Sequence, residues 1–95
     1  MYIILLRFSE NKNLAPDHLD GHRAWLKQGF DTGMFLLAGS LKPGVGGGIL
    51  AVADSQDAVT HFVDQDPFVV ANVVTAEVLE LEPARADTRL NFLLT

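Results

Sequence analysis

The sequence predicts an α+β protein with the ferredoxin-like element order β-α-β-β-α-β, folded as one domain over residues 1–95. Three observations predict this fold. A chain of 95 residues has the length of a single domain. Four segments are rich in the β-branched, aromatic and leucine residues typical of strands. Two further segments repeat apolar residues at helical spacing.

The first half of the chain supplies a strand, a helix and a second strand. Residues 2–8, with the sequence YIILLRF, predict the first strand, and the polar, proline-containing stretch 9–16 predicts a loop. A helix follows and stops near Gly33, because glycine is common just past a helix end. Residues 34–41, MFLLAGSL, predict the second strand. The core-facing positions of the helix recur at helical spacing, at Leu19, His22, Leu26, Gly29 and Phe30.

The second half repeats this pattern after a turn-rich connection. The connection KPGVGGG, residues 42–48, leads into a third strand predicted over residues 48–54. A second helix over residues 55–65 follows an Asp-Ser pair that suits N-capping. Residues 75–82 predict the fourth strand, and residues 84–95 form a C-terminal extension.

The predicted strands are apolar on both faces, whereas a sheet with one face in water alternates apolar and polar residues. Two helices cover only one face of a four-stranded sheet, so the other face needs a partner. We therefore expect a homodimer that packs sheet against sheet. The terminal segment LNFLLT is expected either to add an edge strand or to cross to the partner.

Composition and charge exclude several classes of function. The net charge of −5, with only seven Lys and Arg residues, argues against a nucleic-acid partner. The chain has no cysteine, which excludes disulfides, thiolate metal sites and cysteine nucleophiles. The apolar start MYIILLRF is short, and no segment approaches the ~18–20 apolar residues that span a bilayer. We expect a cytoplasmic protein that binds neither nucleic acid nor membrane.

His22 is the first candidate for chemistry, because it places an ionisable ring on the apolar stripe of the first helix. Gly21 costs this helix about 1 kcal/mol relative to alanine and leaves room for another group beside the histidine. A histidine among apolar neighbours is most often a hydrogen-bonded core residue, so a structural role stays open. His18 precedes His22 by the spacing of helical metal ligands, but the motif lacks an internal Glu and we predict no metal site.

Asp66 is the second candidate, in the stretch DQDPF, residues 64–68. An Asp before Pro67 suits the cap of a short helix, which is the structural alternative. In a β-α-β-β-α-β fold both helices lie on one face of the sheet, so Asp66 can come near the first helix. If it meets His22, its carboxylate would fix the imidazole tautomer and make a general acid/base pair. No serine or cysteine is placed to complete a nucleophilic triad.

The glycine-rich stretch KPGVGGG lacks the Gly-Lys-Ser/Thr ending of a P-loop and precedes a strand rather than a helix. It therefore predicts a β-hairpin loop at the mouth of a pocket rather than a phosphate site. Lys42 in this stretch is a candidate to attract an anion.

Three motifs together resemble the YCII-related proteins of the dimeric α+β barrel superfamily. They are HRAWL in the first helix, GMFLLAG entering the second strand, and AVTHFVDQDPFVVANV from the second helix onward. The resemblance covers roughly residues 1–83 and implies ferredoxin-like protomers that pair sheet to sheet. It also implies an active site built on His22 and Asp66.

The resemblance further implies proton-transfer chemistry without a metal or organic cofactor. Related barrels include muconolactone isomerase and small lyases or dehydrochlorinases. The chain departs from the family pattern at Ser40, where members often have proline, and in its longer tail.

Residues and resemblance together predict an enzyme in which His22 is the general acid/base and Asp66 orients its ring. The reaction would be isomerisation or elimination on a small carbonyl- or enol-bearing molecule. Two alternatives stay open: a non-catalytic small-molecule-binding or regulatory homodimer, and a structural dimer in which the two residues only satisfy each other. The predicted substrate-binding residues are aromatic wall residues and hydrogen-bonding residues of the strands: Trp25, Phe35, Phe68, Gly39, Ser40 and Gly48.

Overall fold

The computed structural model of the chain describes residues 1–94, and Thr95 lies outside them. Seven helices and strands make up the fold, with one 3-10 turn before the first helix and another in the tail. In chain order they are β1 Tyr2–Phe8, the turn Lys12–Leu14, α1 Ala15–Asp31, β2 Phe35–Leu41, β3 Gly46–Ala51, α2 Gln56–Val63, α3 Pro67–Val70, β4 Val74–Glu80 and the turn Thr88–Leu94.

The four strands form one antiparallel sheet in the order β2-β3-β1-β4. β1 lies in the middle and pairs with β3 on one side and β4 on the other. The helices pack on one face of this sheet, so the predicted ferredoxin-like α+β fold is confirmed.

Local signals explain where the two longer helices begin and end. α1 has Pro16 in its first turn, where the missing N–H costs nothing, and it is followed by Gly33 at φ +80°. α2 begins after Ser55, whose hydroxyl accepts a hydrogen bond of 3.1 Å from the Ala58 amide. These caps satisfy backbone groups that the helix ends leave unpaired.

Three strands differ from the sequence prediction at their ends. β2 begins at Phe35 instead of residue 34. β3 begins at Gly46 instead of residue 48, because the Gly46–Gly48 backbone already pairs with β1. It ends at Ala51 instead of residue 54, since the chain there turns toward the α2 cap. β4 spans Val74–Glu80 instead of 75–82.

The core lies between the sheet and the helices. The side chains of Ile4 on β1 and Val59 on α2 are completely buried. Gly29 of α1 sits directly over Phe35, and a Cβ there would overlap the Phe35 ring. This glycine therefore sets the close spacing between α1 and the sheet. The buried core residues are Tyr2, Ile4, Leu6, Trp25, Phe35, Ile49, Ala51, Val59, Val63, Phe68, Val73 and Val74.

The other face of the sheet carries no helix within residues 1–94. The register places one apolar side chain from each strand in a single row across it: Leu37, Leu50, Ile3 and Leu79. Leu37 is 59% exposed and is the most open of this row. Further along the face, Arg7 and Glu77 form an exposed ion pair of 2.9 Å.

The tail forms the 3-10 turn Thr88–Leu94 rather than a strand, so the predicted extra edge strand is wrong for the described residues. Its apolar side chains Leu90, Phe92 and Leu94 are exposed. Whether the tail crosses to a partner stays a prediction. None of the helices in residues 1–94 is both long enough and apolar enough to cross a membrane.

Candidate active site

His22 of α1 and Asp66 at the start of α3 form a hydrogen bond of 2.7 Å between Nδ1 and Oδ1. The Asp66 side chain is completely buried, whereas 14% of the His22 side chain is exposed. Asp66 adopts extended backbone angles and caps α3, because its Oδ1 also accepts a 3.0 Å hydrogen bond from the Phe68 amide. The cap therefore fixes the carboxylate that holds the imidazole.

A close contact between two elements brings these residues together. A Cβ at Gly21 would lie 3.0 Å from Cγ of Pro67, so the missing side chain lets α3 approach α1. The room that the sequence predicted beside His22 is therefore occupied by Pro67, which follows Asp66 directly.

Aromatic rings hold the imidazole plane. The His22 ring stacks on the Phe68 ring, with centroids 4.0 Å apart and planes inclined by 7°. Trp25 lies farther away, with its ring centroid 5.7 Å from that of His22. The Phe68 residue thus fixes the pair twice, through its amide on Asp66 and its ring on His22.

The contacts of the pair define which nitrogen of His22 is free. A carboxylate only accepts hydrogen bonds, so Nδ1 carries the hydrogen that points to Asp66. Within residues 1–94, Nε2 makes no hydrogen bond, and His22 borders a pocket. The neutral ring therefore offers the Nε2 lone pair to a ligand. The other Asp66 oxygen, Oδ2, is buried and has no hydrogen-bond partner in the described part of the chain.

The pocket lies between α1 and the inner face of the sheet and has a volume of about 330 Å³. Its floor is formed in part by the backbone of Gly46–Gly48. The register places Gly47 beside Leu6 on the inner face, so its missing side chain leaves space there. The lining residues are Leu6, Phe8, Leu19, His22, Leu26, Ala38, Gly39, Ser40, Gly46, Gly47, Gly48, Ile49, Phe68 and Val74.

The structure places the predicted substrate-binding residues in two groups. Gly39, Ser40, Gly48 and Phe68 line the pocket together with His22, whereas Trp25 and Phe35 do not. Both of these aromatic residues are buried in the core. The Trp25 indole donates a 2.8 Å hydrogen bond to the Phe62 carbonyl of α2, so its ring points away from the pocket.

Sequence reasoning did not name several pocket residues. Leu6 and Phe8 alternate with Arg7 along β1, and this alternation is the signal that could have placed both on the inner face. Leu19 and Leu26 share the helical spacing of His22, and this spacing predicts core-facing positions, whereas both residues line the pocket. Gly47 carried no signal, because a residue without a side chain shows no preference for a face.

Two basic side chains near this region do not line the pocket. Lys42, the predicted anion candidate, lies in the turn between β2 and β3. The Lys12 ammonium lies 4.9 Å from the centroid of the Phe8 ring. No group of three potential metal-ligating side chains occurs within residues 1–94.

Comparisons with known proteins agree with this fold. The sequence model of the YCII-related domain matches residues 1–82. No match was found among curated proteins. A solved structure, the 5-chloro-2-hydroxyhydroquinone dehydrochlorinase from Burkholderia phenoliruptrix in complex with 2,5-dihydroxybenzoquinone, is similar with a TM-score of 0.69. The identity is 22%, over 85% of this chain and 93% of the other, so this likeness shows the fold.

Proposed function

The chain belongs to the YCII-related domain family, and from this premise we propose that it is a cofactor-independent enzyme of proton transfer. His22 is its general acid/base, and Asp66 orients the ring. The substrate is a small carbonyl- or enol-bearing molecule, and the reaction is an isomerisation or an elimination.

One observation carries this proposal: His22 lines a pocket, its Nδ1 is bound to a buried carboxylate, and its Nε2 makes no hydrogen bond within residues 1–94. A base needs a free lone pair within reach of the substrate, and Nε2 supplies it. When Nε2 takes a proton, the ring becomes cationic and the Asp66 carboxylate stabilises that charge. Such a positioned base contributes about 10²–10⁴-fold to a rate.

Both reactions begin with the same step. Nε2 removes a proton from the carbon beside a carbonyl, and the electron pair of the C–H bond forms the enolate. In an isomerisation the imidazolium returns the proton to another atom of the conjugated system. In an elimination the electron pair forms the double bond, and the leaving group departs with its own bonding pair. The name of the dehydrochlorinase of the same fold favours testing the elimination first.

We also propose that two copies pack through the open face of the sheet. The row Leu37, Leu50, Ile3 and Leu79 supports this packing, because a contiguous apolar face favours burial against a partner. The ion pair of Arg7 and Glu77 bounds this row on one side.

Proton exchange tests the catalytic proposal without knowledge of the product. Enolisable ring ketones, enol lactones and chlorinated hydroquinones are incubated with the protein in D₂O, and loss of C–H signals and release of chloride are followed. We expect at least one compound to exchange or eliminate, and His22→Gln to lower that rate by about 10²–10⁴-fold. His61→Gln is the matched control, since His61 is exposed on α2 and its side chain bonds only to Gln65 within residues 1–94.

Two outcomes contradict the proposal. If the rate survives His22→Gln, another group is the base. If compounds bind in the pocket but none exchanges a proton or loses chloride, the chain is a small-molecule-binding module, the alternative that the sequence left open.

A further inference from the structure

The pocket wall contains very few polar side chains. Among its lining residues in the described part of the chain, only His22 and Ser40 have a side chain with a hydrogen-bonding group. No Lys, Arg, Asp or Glu of residues 1–94 lines it. The remaining wall is aliphatic, aromatic or glycine backbone.

The charge next to the pocket is negative. The Asp66 carboxylate lies behind His22 at 2.7 Å from Nδ1, and the chain as a whole carries −5. Lys12 has its ammonium over the Phe8 ring but does not line the pocket. A carboxylate that enters the pocket would lose water and would meet no Lys or Arg among the lining residues of the described chain. Burial of a charge that lacks a permanent partner is costly.

The two polar side chains of the pocket lie on different elements, His22 on α1 and Ser40 on β2. Ser40 is on the edge strand β2, and its pairing with Gly47 places it on the inner face. Val74, at the other end of the pocket, is on the opposite edge strand β4. Three strand spacings of about 4.8 Å, roughly 14 Å in all, separate the backbones of these edge strands, and residues of all four strands line the pocket. Between its ends it offers a flat backbone floor at Gly46–Gly48 and the aromatic ring of Phe68.

We infer that the substrate class of this site is uncharged flat rings that carry oxygen atoms on two edges, and that ring carboxylates are rejected. This inference rests on the proposed function and names its substrate. One oxygen-bearing edge lies at Nε2 of His22, where the proton is transferred. The other is held by the Ser40 hydroxyl, which can donate or accept a hydrogen bond.

Matched ligand pairs test the inference on the wild-type protein at neutral pH. Each pair shares a ring and differs by one carboxylate: hydroquinone with 2,5-dihydroxybenzoate, catechol with 2,3-dihydroxybenzoate, and cyclohexenone with its ring carboxylate. Affinities are measured by ligand-observed NMR. We expect the uncharged member to bind with a Kd lower by about tenfold or more in most pairs. Any other result with the wild-type protein, including equal binding or no binding, overturns the inference.

Three variants show which group sets the preference. Ser40→Lys places a cation in the wall and is expected to reverse the preference toward the carboxylates. Ser40→Ala is its control. We expect it to lower the affinity for the uncharged rings a few-fold, while the carboxylates still bind more weakly than the uncharged rings. Lys12→Gln is expected to leave the affinity for both members of each pair unchanged. A fall in the carboxylate affinity of Lys12→Gln would overturn the inference. Because binding is measured, this result is separate from the exchange test of His22.

Discussion

His22 and Asp66 are 44 positions apart in the chain, yet Nδ1 and Oδ1 lie 2.7 Å from each other. The same Oδ1 also receives the amide hydrogen of Phe68, so one buried oxygen joins α1 to the first turn of α3. The chemistry and the local fold therefore depend on a single carboxylate.

Replacement of Asp66 by alanine removes both hydrogen bonds. We expect the His22 ring to lose its fixed Nδ1–H tautomer and the free energy of unfolding to fall by about 1–3 kcal/mol. Ring ¹⁵N shifts and urea unfolding measure the two effects. Asp64→Ala is the control, because that neighbouring acid is exposed and makes no side-chain hydrogen bond among residues 1–94. A tautomer that stays fixed in Asp66→Ala would contradict the geometry.

Replacement of Phe68 by leucine removes the ring that stacks on His22 but keeps the amide that binds Asp66. We expect a loss of about 0.5–1.5 kcal/mol from the aromatic pair and a broader range of His22 ring orientations. Relaxation of the His22 ring signals measures the orientations. Phe68→Tyr should restore the wild-type signals. Phe62→Leu is the control, because the Phe62 ring stacks on Trp25 instead of His22. If Phe62→Leu broadened the His22 ring orientations equally, the Phe68 ring would not be what holds them.

Side chains added at Gly47 should fill the pocket from its floor. A Cβ there meets only the Gly39 carbonyl oxygen, at 3.4 Å, so Gly47→Ala and Gly47→Val have room to fold. We expect ligand affinity to fall stepwise from glycine to alanine to valine, as pocket volume falls. Val70→Ala is the control, because Val70 is exposed on α3 and does not line the pocket. Affinity that does not change with side-chain size would place the ligand elsewhere.

Alkaline pH should destabilise the protein through Tyr2. Burial, with the Glu80 carboxylate as the next cause, raises the pKa of Tyr2 above its ordinary value of 10.0. The folded state holds the proton more tightly than the unfolded chain. This contribution to stability is therefore present below pH 10 and is lost as pH rises through the raised pKa.

Tyr2→Phe removes that loss, and unfolding measured between about pH 9 and pH 11 should show a shallower decline than in the wild type. Tyr2 is the one tyrosine in the sequence, so phenolate absorbance reports its titration directly. Equal slopes in the two proteins would show that other groups cause the alkaline loss.

A charge on the open sheet face should break the proposed dimer. Leu37 is 59% exposed in the single chain, and we expect Leu37→Glu to give the mass of a monomer in sedimentation while wild type gives twice that mass. Val70→Glu is the control, since Val70 is 69% exposed but lies on α3, on the helical side. A wild-type monomer at every concentration would rule out the packing.

The element order could be predicted from the sequence because apolar residues repeat at different spacings in strands and in helices. β1 and α2 are found within one or two residues of their predicted positions. The sequence predicts a loop at Gly46 and Gly47, because glycines have no side chains that show a strand period. Its place in β3 is decided by backbone pairing with β1, which no local pattern records.

The site was less accessible to sequence reasoning. His22 and Asp66 were named as a pair, and they meet in the structure. The sequence predicts Trp25 as a residue of the pocket wall, and Trp25 lies three residues after His22, almost one helical turn. A helical spacing shows which residues share a face, but it cannot show which edge of that face borders a cavity. The hydrogen bond from the Trp25 indole to the Phe62 carbonyl holds the ring in the core instead of at the pocket.

The glycine floor of the pocket and the α1 side above it, here called the roof, tolerate substitution to very different degrees. Gly46 has φ +146°, and a Cβ there would overlap the Leu6 carbonyl, so no side chain can be added at that point. The roof residues Leu19 and Leu26 meet no such restriction, because each lies on a helix with its side chain toward the cavity. New substrate shapes are therefore best sought in libraries of roof variants over an unchanged glycine floor.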